Sequence, residues 1–200
     1  MACVLHTTHT SDIKVRDINT FIHCSTGEEL AACIEKQSNE YTKHKVAEFL
    51  KDMGLKQYAE SFTDMDITGD TLINPDGLKD ILEELEVTNP VHQLKILAGF
   101  KRKLMCDIGV PSSTDPGKMH GKDPLSEFIK EYQMPPNYIE NFISGDIDWE
   151  LLLYVTDDPL KHILQDTLSN ALEQIGITNG LHKHLFKKSF RPYIHKNFCM

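Results

Sequence analysis

The sequence predicts an all-α fold, two five-helix bundles in tandem, on three observations. Apolar side chains recur three and four residues apart through most of the chain, the spacing of one helix face. No segment alternates apolar and polar residues as a half-buried strand does. One pattern of ~60 residues also occurs twice, the mark of a repeated structural unit. The first copy, from Val46, is VAEFLKDMGLKQYAESFTDMDITGDTLI, and the second, from Leu125, is LSEFIKEYQMPPNYIENFISGDIDWELL. They pair Phe49 with Phe128, Leu50 with Ile129, Tyr58 with Tyr138, Phe62 with Phe142 and Ile67 with Ile147. Further on, His92 pairs with His182, Ile96 with Phe186 and Phe100 with Phe190. The paired positions are mostly apolar or aromatic, so what is repeated is a core and not a reactive constellation.

Residues 1–40 form a tail with one helical segment, about Glu28 to Asn39, where alanine, leucine and glutamate favour helix and Thr26 can cap it. That segment is too short to build a core of its own. The first unit spans 43–105. Val46, Phe49, Leu50 and Met53 make an amphipathic first helix, Gly54 interrupts it, and Leu55, Tyr58 and Phe62 belong to a second. Asp66 to Pro75 supplies turns. Leu78, Ile81, Leu82 and Leu85 make a short helix, and a longer one follows Asn89-Pro90 with Val91, Leu94, Ile96, Leu97, Phe100 and Leu104 available for burial. A linker, 107–122, holds proline and glycine and breaks the periodicity. The second unit spans 123–196 and carries about ten extra residues before its last helix. Leu160, Ile163, Leu164, Leu168 and Leu172 continue one apolar stripe, which predicts a lengthened helix from about Pro159 to Gln174, ended by Gly176.

The residues Phe49-Leu50, Gly54-Leu55, Tyr58, Phe62, Ile67, Gly69, Leu72, Leu78 and His92 stand in an order that resembles the sterile alpha motif (SAM) domain. The second unit departs from it at the front, where Gln133-Met134 replaces Gly-Leu. Its ending, IGITNGLHKHLF from Ile175, is similar to the family's. The tandem arrangement resembles the SAM pair of SARM-type adaptors, which lies between armadillo repeats and a TIR domain. The resemblance implies a cytoplasmic protein–protein interaction and oligomerisation module, a scaffold for signalling including innate immunity, pairing with itself and with other SAM proteins. It implies neither catalysis nor a cofactor.

Composition agrees with that class. No apolar run reaches the ~18 residues of a membrane helix, and MACVLHTTHTSDIK lacks the basic start and apolar segment of a signal peptide. Cysteines 3, 24, 33, 106 and 199 are scattered without a CxxC pair, which favours free thiols over disulfides or zinc. His182 and His184 point to different sides of a helix and make no bidentate metal site. The DMDITGD stretch lacks the bidentate glutamate of a calcium loop, since Pro75 stands at that place. His92 and His182 are expected to be structural, at the start of the last helix of each unit, where they can bond local backbone. Trp149, aligned with Gly69 at a turn, is expected to be half-buried packing.

Charge is distributed more informatively. Asp64, Asp66, Asp70, Asp76, Asp80, Glu83, Glu84 and Glu86 are offset only by Lys79, after which Lys95, Lys101, Arg102 and Lys103 follow without an acid up to Leu104. In the second unit Glu140, Asp146, Asp148, Glu150, Asp157, Asp158, Asp166 and Glu173 precede Lys183, Lys187, Lys188, Arg191 and Lys196. Solvated turns and lysine-rich helix ends give such a pattern by themselves. Two complementary faces give it as well, and these join head to tail through different patches. The SAM resemblance supports the second account. It assigns an acidic face to Asp64, Asp66, Asp70, Asp76, Asp80, Asp146, Asp148 and Asp157. The basic face is then His92, Lys95, Lys101, Arg102, Lys103, His182, Lys183, Lys187 and Lys188. Two alternatives remain. One is RNA-hairpin binding through the basic last helices, against which the net charge of −9 argues. The other is the regulatory oligomerisation piece of a TIR-type NAD-cleaving enzyme, of whose parallel α/β pattern this sequence has none.

Overall fold

The computed structural model describes residues 27–74, 76–109, 123–156 and 161–198. Among them the regular elements are all helical. They are α1 (Gly27–Asn39), α2 (Lys43–Asp52), α3 (Ala59–Asp64), α4 (Gly69–Ile73), α5 (Leu78–Glu84), α6 (Pro90–Asp107), α7 (Pro124–Glu131), α8 (Tyr138–Ser144), α9 (Trp149–Leu153), α10 (Lys161–Gln174) and α11 (Gly180–Phe198). One-turn 3-10 helices lie at Lys56–Tyr58 and Tyr154–Thr156. The order α2 to α6 recurs as α7 to α11.

The short helices end where a left-handed residue lets the chain turn back and an apolar residue after it enters the core. Gly54 has a φ of 74°, and Leu55 N–H then donates to the Leu50 carbonyl at 2.8 Å. The same closure recurs at Asp66, with Ile67 bonded to Phe62, and at Glu86, with Val87 bonded to Leu82. The second half repeats it at Gln133, Asp146 and Gly176, which place Met134, Ile147 and Ile177. All six following residues are buried. This six-to-one bond with an apolar contact satisfies carbonyls that a helix end leaves unpaired. Here lies the physical content of the repeat: equivalent residues stop helices and aim side chains inward. The last helices begin alike too. Asn89 accepts bonds from the Val91 and His92 N–H groups, and Asn179 from those of Leu181 and His182.

The core follows the periodicity. Phe49, Leu50, Phe62, Leu82, Leu97 and Phe100 are buried, as are Phe128, Ile129, Phe142, Phe186 and Phe190. Tyr58 is half-buried and its hydroxyl bonds His92 Nδ1 at 2.8 Å; the buried Tyr138 makes the equivalent bond to His182 at 3.0 Å. These histidine rings were expected on local backbone, but the asparagines take that role and the rings tie the Lys56–Tyr58 turn to α6 and α8 to α11. The lengthened helix before Gly176 is α10, which ends at Gln174 as expected; Pro159 and Leu160 lie outside the described residues.

The helix expected inside the tail is α1, and it packs against α4 and α6. Its seat requires glycine at 69. A Cβ there would meet the Ser38 carbonyl, Tyr41 Cβ at 2.6 Å and Phe100 Cζ at 2.9 Å. Gly69 N–H also donates to the Tyr41 carbonyl at 2.8 Å, and Ser38 is fully buried. Residues 27–39 are therefore part of the first half's packing. Trp149, at the position equivalent to Gly69, opens α9 and is half-buried. Of the remaining tail and the linker, residues 1–26 and 110–122 lie outside the described residues.

Candidate interaction surfaces

The charged faces meet inside the chain. α6 lies along α9, α10 and the Tyr154–Thr156 turn, and its packing on α10 is the most extensive between any two helices. Two ion-pair groups flank this seam. Lys95, 11% exposed, pairs with Asp146, and Arg102 Nη1 lies 3.2 Å from both Asp148 Oδ2 and Glu150 Oε2. The acids are held in place by local structure. Asp146 occupies the left-handed position after α8, and Asp148 caps α9 by accepting the Leu151 N–H at 2.6 Å, which leaves its other oxygen for Arg102. Tyr154 packs at the same seam, where burial first, and the nearby Cys106 of α6 second, push its hydroxyl pKa up.

Comparison of equivalent positions shows what the second half does to α6. Val91 is 7% exposed, whereas its counterpart Leu181 on α11 is 66% exposed. Leu94 and Ala98 are fully buried, whereas His184 and Lys188 at the same places are exposed. Met105, further along the same stripe, is 9% exposed. Val91, Leu94 and Ala98 follow at three and four residues and Met105 about two turns later, so they form one outer face of α6. That face is apolar on α6 and covered; on α11 it is basic and open.

The expected faces therefore divide. Lys95 and Arg102 are spent on Asp146, Asp148 and Glu150 within the chain. Glu150, outside the expected acidic face, completes the seat; its place one turn beyond Asp146 on the same acidic run was the available signal. Lys101 is not on an open surface but 4% exposed and engaged in contacts of its own. Lys103 pairs with Asp107, whose carboxylate also accepts from the Tyr41 hydroxyl. His92 faces Tyr58, and burial first and Lys95 second hold its pKa below the ordinary histidine value. Asp66 pairs with Lys43, and Lys183 with Glu173 at 3.0 Å. Asp64, Asp70, Asp76 and Asp80 are exposed and make no ion pair among the described residues, and Lys187 and Lys188 make none either. Asp157 lies outside the described residues.

Among the described residues no group of three or more His, Cys, Asp or Glu side chains is arranged to hold a metal, and no helix is long and apolar enough to cross a membrane. Comparison with known proteins gives one positive result. No curated protein and no solved structure matches the chain. The family model of the SAM domain (Sterile alpha motif) matches residues 39–103, which run from the end of α1 through most of α6. Over those residues, about a third of the chain, the sequence is similar to the SAM domain family.

Proposed function

We propose that this chain is an oligomerising interaction module that joins partners head to tail, the acidic middle of one SAM-type unit against the basic last helix of another. SAM domains are protein–protein interaction modules, commonly of homo- and hetero-oligomers. In this reading residues 123–196 are a second SAM-type unit, supported by the recurrence of helix order, left-handed closures, asparagine caps and Tyr–His pairs. One observation carries the reading. The chain already joins a basic last helix, α6, to an acidic middle, Asp146 to Glu150, so the two surfaces fit each other. Outside that internal contact, the first half keeps an open acidic surface and the second an open basic helix. The module is not an enzyme in this reading: it acts as a cytoplasmic adaptor or scaffold whose partners are further copies and other SAM proteins.

The test is light scattering of the full chain across concentration and salt. Mass should rise with concentration at low salt and fall as salt screens exposed charges over ~8–10 Å. A chain that remains monomeric at millimolar concentration in low salt ends this reading.

A further inference from the structure

We infer that the internal contact leaves each chain with one donor surface and one acceptor surface, and that Leu181 at the start of α11 is the apolar anchor by which the donor engages the acidic surface of the first half of a second copy. This rests on the head-to-tail reading and specifies its geometry. Two units with two complementary faces each would offer two donors and two acceptors. The contact of α6 with α9 and α10 removes one of each, because Lys95 and Arg102 are bound and the outer stripe of α6 is covered. A chain with one donor and one acceptor grows only as a line or a ring.

The remaining donor is the outer face of α11. Leu181, 66% exposed, is an apolar side chain left in water where its counterpart on α6, Val91, is 7% exposed. Exposed Lys188 and half-exposed Lys187 lie about two turns further along. The remaining acceptor is the α4–α5 surface. Asp70, without an ion pair among the described residues, stands there at the position of Glu150, and Asp66, which pairs with Lys43, at that of Asp146; Asp146 and Glu150 hold α6 in the second half. Ile73 and Ile81 are half-buried there, while their counterparts Leu153 and Ala171, on the helices that carry α6, are buried. The acceptor thus repeats acid beside apolar, and the half-open isoleucines supply a place for Leu181. A second copy is the occupant because opposite charge and the equivalent contact both stand within this chain.

The external contact is not a replica of the internal one. Leu185 and Pro192 occupy the α11 places of Lys95 and Arg102, so charge must come from Lys187 and Lys188, which lie nearer solvent. Association between chains should consequently be reversible and more sensitive to salt than the seam within each chain.

The experiment is light scattering and sedimentation of the full chain, wild type against Leu181→Asp and Asp70→Lys, with thermal melting alongside. Both positions are exposed, and an aspartate in the first turn of α11 suits a helix N-terminus, so melting should be unchanged. Leu181→Asp should raise the concentration at half-assembly about ten-fold or more. Asp70→Lys should raise it severalfold. An equimolar mixture of the two should stop at a pair, since each variant keeps one intact surface. Leu181→Asp assembling like wild type overturns this inference; the head-to-tail reading survives that result if Asp70→Lys still dissociates the assembly. A wild-type chain that never assembles removes both. A mixture that grows as long as wild type refutes the single-donor, single-acceptor count.

Discussion

Reversing Arg102 to glutamate is the sharpest test of the seam between the two halves. Its guanidinium nitrogen lies 3.2 Å from two carboxylates, with the arginine side chain 23% exposed, Glu150 26% and Asp148 50%. Part-screened bonds of this kind contribute about 1–2 kcal/mol together. Arg102→Glu removes them and brings a third negative charge to Asp148 and Glu150, which at an effective dielectric near 20 costs about 1–2 kcal/mol more after solvent screening. The total of about 2–4 kcal/mol corresponds to a fall in Tm of about 5–15 °C for a chain of this size. Calorimetry should show that fall at low salt and a smaller one at high salt. Arg102→Glu combined with Glu150→Arg should recover part of the loss. A single variant that melts within a degree of wild type, or a double variant no better than the single, would refute the claim that this cluster fastens α6 to the second half.

Other expectations follow from particular contacts. Gly69→Ala should destabilise by about 2–3 kcal/mol in urea titration, because its Cβ meets Tyr41 and Phe100 in a packed interior; a neutral result would mean that α1 moves aside without loss. Glu86→Gly and Gln133→Gly should each stabilise by about 0.5–1 kcal/mol, since relief of the left-handed strain exceeds the added freedom of the unfolded chain. A loss of stability in either would show that the native side chain contributes more than its backbone costs. The depressed pKa of His92 makes the unfolded state bind the extra proton first. Stability from this site is therefore full above the ordinary histidine pKa of 6.5 and falls as pH drops through that value toward the folded pKa. His92→Gln should flatten that part of the stability–pH curve, and an unchanged curve would assign the dependence to other groups.

Helix order and most of the core were legible in the sequence because both are local. Val46, Phe49 and Leu50 share a helix face through spacing alone, and Gly54 stops that helix because it adopts a positive φ without strain. α10 was legible for the same reason, its leucines running on one stripe across the inserted residues. The asparagine caps were less so. Asn89 precedes proline at a helix start, yet a histidine beside it drew the capping role that Asn89 takes. The Tyr58–His92 bond joins residues that only the closed bundle brings together.

The division of the charged faces was decided by tertiary structure. Sequence counts charges along a helix, but a lysine stem can lie against apolar surface while its amine finds a partner, so Lys101 looks like Lys103 in the sequence although Lys101 is buried and Lys103 is not. One trace of the outcome is present in the sequence. α6 carries a second apolar stripe, Val91, Leu94, Ala98 and Met105, whereas α11 has Leu181, His184, Lys188 and His195 at those places. A helix with a second apolar stripe beside the one that fills its own bundle needs a second cover. The sequence by itself determined an α-helical repeat, where its helices stop and which residues fill its core, because those depend on neighbours a few positions away. Which basic helix is consumed within the chain and which is left open depended on how the two halves pack, since burial of a charge is a property of what lies against it.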